Sequence, residues 1–191
     1  MVDTHEYVLE IAYRYNPEDV AHMEQDAYLA TKIFRLTRDL HELPQEYEEL
    51  LEYAALLHDI GYFIGYDDHH KHAYRMIMST DIPGLDEREK AIVANIARYH
   101  RSAPPKLKHK GFAALSGEDR EAVTRLGAIL RLADGLDRSH TNAVQDLECE
   151  IIGDHVILTL HPPHGNEIER WAGLKKSRFF QDVFDVTVEL R

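Results

Sequence analysis

Residues 54–61, Ala54-Ala55-Leu56-Leu57-His58-Asp59-Ile60-Gly61, set an imidazole and a carboxylate side by side at the end of an apolar run, and the reading of that doublet decides the fold. Across Pro44 to Ile60, Leu50, Ala54 and Leu57 form one stripe with Leu51 and Ala55 beside it, the spacing of a helix packed in a core. Gly61 is the expected helix stop. One helix end then offers a nitrogen and an oxygen donor in an apolar setting, where an uncompensated carboxylate is costly. A bound metal ion is the first hypothesis.

Working outward, further donors fall at the ends of other helical runs. The chain has 13 histidines in 191 residues. Tyr15 to Asp19 reads as a helix start, with Asn16 as cap and Pro17 at the first helical position, and His22 follows just over a turn later. After a loop at Tyr66 to His70, a helix from His70 to Ser79 carries His70 and His72, and Pro83-Gly84 separates it from the next. Asp86 and Glu89 make a capping box for a helix with Ile92, Val93, Ile96 and Ala97 inward, and His100 ends it before Pro104-Pro105. Ser116 starts a long helix in which Val123, Leu126, Leu130 and Ala133 face the core and Asp134 lies beside them. Imidazole and carboxylate together suit Mn, Fe, Zn or Mg, whereas a thiolate site would need more than the single Cys149.

From about Val144 the period changes. Leu147, Cys149 and Ile151 alternate, Gly153-Asp154 marks a two-residue turn, and Val156, Leu158 and Leu160 alternate again. Asn166 caps a helix to about Phe180, with Ile168 and Trp171 on its inner stripe, and Val186, Val188 and Leu190 close a β-β-α-β unit. The expected fold is mainly α: a helical domain over residues 1–142 and a small α/β appendage over 143–191. The composition, 44% apolar and 29% charged, is that of a globular protein, and no apolar stretch reaches the roughly 20 residues that span a bilayer. Met1 to Glu10 shows no apolar leader segment, and one cysteine precludes an internal disulfide, so a cytoplasmic setting is expected. A net charge of −12 argues against duplex nucleic-acid binding. A sheet of three strands leaves edges open, which makes a homodimer plausible.

His22, the His58-Asp59 doublet and Asp134 resemble the H...HD...D signature of the HD-domain metal-dependent phosphohydrolases. The stretches at residues 55–61, 70–74, 96–101 and 131–140, together with the tail, are similar to the C-terminal HD region of the exopolyphosphatase/guanosine pentaphosphate phosphatase (Ppx/GppA) family. In that family, two phosphate-binding halves with an actin-like ATPase fold precede this region; these 191 residues hold no counterpart of them, so their polyphosphate chemistry is not carried over. The resemblance implies an HD-domain helical bundle and a hydrolase acting on phosphate esters or anhydrides. It implies His22, His58, Asp59 and Asp134 as ligands of a first divalent metal, with Asp59 bridging to a second held by His72 and His100. Mn, Fe or Mg are the expected ions, and His70 competes with His72 for its place.

A divalent ion lowers the pKa of bound water toward neutrality, so no side-chain nucleophile is required. Asp59 is expected to serve the reaction directly, and Lys71, Arg101 and Arg138 are candidates to spread charge on a phosphorylated small-molecule substrate. Lys106, Lys108 and Lys110 form a basic loop that could cover an anion, and Asp137 is placed to tune the ligand helix. Plainer roles are available for some of these residues: a solvated loop for His69 and His70, a dipole-favoured helix end for His100, and surface positions for His5, His41, His155, His161 and His164. Two rival functions stand beside hydrolysis. One is a non-catalytic nucleotide- or protein-binding regulatory module; the other is oxygen chemistry at a di-iron centre.

Overall fold

A helix buried on all sides has to be central, and the second half of α8 (Gly117–Leu136) is such a stretch. The helix starts where the Ser116 hydroxyl accepts the Asp119 N–H at 3.0 Å, and from Leu126 to Leu136 every residue except Arg131 is buried. The sequence stripe identified one of its faces; the other packs as well. In the computed structural model, which describes residues 3–191, helices from both ends of the chain gather on α8. Met1 and Val2, the first residues of the stretch examined for a leader, lie outside the described residues.

The N-terminal stretch forms a helix that the pattern reading missed, α1 (Thr4–Tyr15), and this moves the next helix start. Asn16 closes α1, its N–H donating to the Ala12 carbonyl at 2.9 Å, because the residue before Pro17 is disfavoured in the α conformation. The expected cap at Asn16 is thus corrected to Asp19. Helix α2 (Val20–Leu36) follows, with His22 in its first turn. Short α3 (Arg38–His41) leads to α4 (Glu46–Leu57), which packs against α2. His41 is buried rather than superficial, its Nε2 2.8 Å from the Phe34 carbonyl.

Helix α4 ends at Leu57, not at Gly61, so the His58-Asp59 doublet occupies the turn that leads into a 3-10 segment, Ile60–Phe63. Gly61 has a different task. A Cβ there would lie 2.0 Å from the His69 carbonyl oxygen and 2.7 Å from the Ala73 nitrogen, both backbone atoms of α5 (His69–Ser79). The bare backbone lets this segment approach α5, which begins at His69, one residue before the expected start. Gly61→Ala is expected to cost about 3 kcal/mol in urea denaturation, whereas Gly65→Ala, with open space around it, should stay within about 0.5 kcal/mol.

Helix α6 (Glu87–Arg98) begins with the expected capping box between Asp86 and Glu89 and packs on α5, α4 and α8. Its end is fastened by Arg131 of α8, whose guanidinium donates to the carbonyls of Tyr99, Arg101 and Ser102 at 2.8–3.1 Å. That clamp fixes the backbone on both sides of His100. A short α7 (Lys110–Ala113) precedes α8.

The tail is the expected β-β-α-β unit. Strands β1 (Asp146–Ile152) and β2 (His155–His161) pair antiparallel across the Gly153-Asp154 turn, and β3 (Thr187–Leu190) pairs parallel to β2 after α9 (Glu167–Phe184). The sheet order is β1-β2-β3. The inner stripe of α9 differs from the one expected: Ile168 and Trp171 are 58% and 64% exposed. Its buried side carries Ala172, Gly173, Ser177 and Phe180 instead, because α9 lies so close to α8 that a Cβ on Gly135 would come within 2.8 Å of the Gly173 Cα. Small residues make that contact, and Ile168 and Trp171 are left outside. The result is mainly α with a small C-terminal β unit, and one hydrophobic core runs from Val8 in α1 to Leu190 in β3.

Candidate metal centre

Three histidines of the site are oriented by the same local device. The Nδ1 of His58, His69 and His100 lies 2.6, 3.0 and 2.7 Å from the carbonyl oxygen three residues earlier, of Ala55, Tyr66 and Ala97 respectively. A carbonyl only accepts, so each Nδ1 carries a proton and each Nε2 is the nitrogen turned toward the site. For His58 and His100 the acceptor is one of the carbonyls that a helix leaves unpaired at its C-terminal end. His22 reaches the same state differently. Its Nδ1 is 2.8 Å from Asp137 Oδ2, while Asp137 Oδ1 accepts the Asn142 N–H at 2.9 Å. Asp137 thereby holds the ring as carboxylates beside metal-bound imidazoles do.

These Nε2 atoms converge on carboxylates. One donor atom each from His22, Asp26, His58 and Asp134 lies within 4.8 Å of all the others, and so does one each from His58, Asp59 and His100. His58 belongs to both groups. The separations are 3.5 Å from His22 and from His58 to Asp26, 3.9 Å from His22 to Asp134 and 3.4 Å from His58 to Asp59. Asp59 Oδ1 is 3.3 Å from His69 and 3.6 Å from His100. Ligands about 2.1 Å from a tetrahedral ion stand about 3.4 Å apart, so this spacing matches donors arranged around a cation.

All these residues are buried, and the inward atoms lack partners. Among the described residues, His22 Nε2, both oxygens of Asp26, His58 Nε2 and Asp59 Oδ1 make no hydrogen bond. Burial pushes the Asp26 carboxyl up to about 7, against the pull of His22. Burial alone would lower His22 and His58, yet Asp26 and Asp137 around the first, and Asp59 and Asp26 around the second, raise them to about 9 and about 10. Burial and the neighbouring His58 hold His100 well below its ordinary value. Asp59 and Asp134 are held low despite their burial, by His58 and by Lys176 respectively. The cage attracts positive charge, and its oxygens and imidazole nitrogens are donors suited to a divalent ion.

Of the residues expected from sequence, His22, His58, Asp59, His100 and Asp134 come together. His72 is half-buried on α5 and belongs to neither group; His69, three residues earlier, is the α5 residue that reaches Asp59. His70 is buried with its Nδ1 unpartnered, and burial with the nearby Arg101 lowers it to about 4. Asp26 was not anticipated, although it follows His22 by four residues and so shares its helix face. Lys176 of α9, whose ammonium pairs with Asp134, had no sequence signal.

The cage borders a cleft of about 450 Å³ between the loop after α6, α8 and α9. Arg101, Arg131, Arg138, Lys175, Lys176 and Arg178 line it with His100 and Trp171, and no acidic residue does. Arg101 also stands at the cage, 3.2 Å from both ring nitrogens of His69. Lys71 lies elsewhere, paired with Asp68 at 2.9 Å, and Lys106, Lys108 and Lys110 are exposed without lining the cleft.

Fold and site define a class, a helical bundle whose core carries a buried imidazole and carboxylate cage beside a cationic cleft. Residues 6–170 match the family model described as Ppx/GppA phosphatase, domain III, and the chain belongs to that family. Similar proteins include three bacterial proteins named guanosine-5'-triphosphate,3'-diphosphate pyrophosphatase. That of Aeromonas hydrophila is 29% identical over 162 residues, 84% of this chain and 32% of the relative. Those of Vibrio cholerae and Vibrio vulnificus are each 32% identical, over 146 residues (74% and 28%) and 116 residues (60% and 22%). The chain spans about a third or less of the length of these relatives. Among the described residues no helix is long and apolar enough to cross a membrane.

Proposed function

We propose that the chain is a metal-dependent phosphohydrolase of the HD type, acting on a phosphate ester or anhydride of nucleotide-like or polyphosphate-like character. The observation that carries this reading is the identity of the unpartnered atoms. The buried nitrogens and oxygens of His22, Asp26, His58 and Asp59 that lack hydrogen bonds belong to the residues whose donors cluster. Orphaned buried polar groups are few in native proteins, and their gathering in one place is accounted for by a ligand they share. The relatives' names, which specify a pyrophosphatase of a phosphorylated guanosine, support the substrate chemistry.

In this reading His22, Asp26, His58 and Asp134 would hold one divalent ion, and Asp59 and His100, with His69 adjoining, would take a second. Bound there, such ions supply an activated water and a counter-charge for phosphoryl oxygens. The protein's own groups do the rest. The Nδ1 hydrogen bonds keep the Nε2 atoms aimed inward, the Arg131 clamp holds His100 in place, and Asp137 fixes His22. Arg101, Arg138 and Lys176 offer positive charge on the cleft side, where the substrate's phosphates would lie.

The test is metal analysis of the purified protein, followed by chelation and reconstitution with Mn, Fe, Mg, Co or Ni. Hydrolysis of nucleoside phosphates and of inorganic polyphosphate is then followed in the absence of oxygen. Turnover that is lost on chelation and restored by a divalent ion is expected. Protein that binds no metal, or that hydrolyses equally well in chelator, would overturn the proposal.

A further inference from the structure

The cleft beside the cage differs in charge from the rest of the molecule. The chain carries 34 acidic and 22 basic side chains, yet among the described residues every charged side chain lining the cleft is basic. Among the described residues, Lys176 of the cleft wall and seven other Lys or Arg side chains lie within 4.0 Å of a carboxylate oxygen. Among the described residues, however, no carboxylate oxygen lies within 4.0 Å of Arg138, Lys175 or Arg178. Arg138 projects from the end of α8, and Lys175 and Arg178 from the outer side of α9. Like charges gathered without counter-charges repel one another, and an anion in the cleft relieves that repulsion.

A second feature of the same wall says more about the ligand. Trp171, the only tryptophan of the chain, stands on α9 at 64% exposure, and the Lys175 ammonium lies 5.3 Å from its ring centroid. An indole left this open contributes nothing to the core, but it offers a flat apolar face next to unpaired cations. Inorganic phosphates have no use for such a face, whereas a nucleobase does, since stacking on an aromatic side chain works for any base. The cleft volume falls within the roughly 300–1,000 Å³ of small-molecule sites.

We infer that the cleft between α8 and α9 is a binding site for a nucleoside polyphosphate, with Arg138, Lys175 and Arg178 on its phosphates and Trp171 stacked on its base. The inference deepens the phosphohydrolase reading and rests on it for what happens at the cage end. It assigns recognition to the exposed side of α9.

Binding is measured on the full chain in chelator, where nothing turns over, with GDP, ADP, inorganic pyrophosphate and guanosine as probes. Trp171 serves as its own reporter when excited selectively over the tyrosines, and calorimetry extends the measurement to variants without it. Both nucleoside diphosphates are expected to quench the tryptophan and to bind about tenfold or more tighter than pyrophosphate or guanosine. Trp171→Ala should bring GDP to the level of pyrophosphate. Lys175→Glu with Arg178→Glu, both on the exposed surface, should weaken every anion about tenfold or more. Pyrophosphate binding as tightly as GDP, indifference to either replacement, or no binding at all would sink the inference. Nucleotide binding by a protein that neither takes up a divalent ion nor turns substrate over when one is supplied would overturn the hydrolase reading and leave the cleft standing. Metal-dependent turnover without tryptophan quenching would do the reverse.

Discussion

His58→Ala is expected to lower metal-dependent turnover about 10³-fold and to strip the bound metal, with the circular dichroism spectrum retained. His58 is fully buried at the joint of the two donor groups, with Asp26 3.5 Å to one side of its Nε2 and Asp59 3.4 Å to the other. Among the described residues it is the one side chain common to both groups, so its loss removes a donor at the centre of the cage. Two further variants sort the helix α5 histidines. His69→Ala should cost about 10–100-fold, because its imidazole borders Asp59 and His100. His72→Ala, outside both groups, should leave turnover within about twofold. A His58→Ala protein that keeps its metal and its rate would refute the cage, and a larger loss for His72→Ala than for His69→Ala would reverse the assignment on α5.

The doublet at residues 58–59 and the capping box of Asp86 and Glu89 were legible in the chain because they rest on local spacing. His58 and His100 end helices, so their positions follow from where apolar periodicity stops. His69 was harder to read. It sits at the junction of loop and helix, where a shift of one residue in the start changes which side chain points inward, and α5 starts one residue earlier than the pattern suggests. Asp26 was within reach, since a spacing of four from His22 places both on one face of α2. Helix α9 was misread for a physical reason. The hydrophobic period expects large residues inside, but the close passage of Gly135 and Gly173 selects small ones and leaves Ile168 and Trp171 in solvent. Lys176 then meets Asp134 across that contact, a pairing that joins residues 42 apart in sequence and that no local pattern encodes.

Chelation is expected to lower the melting temperature by about 8–16 °C, and Asp26→Asn to abolish that shift. Asp26 is fully buried, and both its oxygens lack hydrogen bonds. A carboxylate in that position opposes folding unless a cation compensates it, so the metal-free cage is a source of instability and the metal relieves it. At a thousandfold excess of ion over its dissociation constant the gain is about 4 kcal/mol. For a chain of this length, each kcal/mol moves the midpoint by about 2–4 °C. Asn keeps the shape of Asp and removes the charge. In chelator, Asp26→Asn should therefore melt at or above the wild-type temperature, and in saturating metal below it. This crossing separates a ligand from a structural carboxylate, because a residue that merely held the fold together would destabilise it under both conditions. An unchanged melting temperature on chelation, or an Asp26→Asn protein that melts lower than wild type in chelator and in metal alike, would remove Asp26 from the ligand set and return its burial to an unexplained cost.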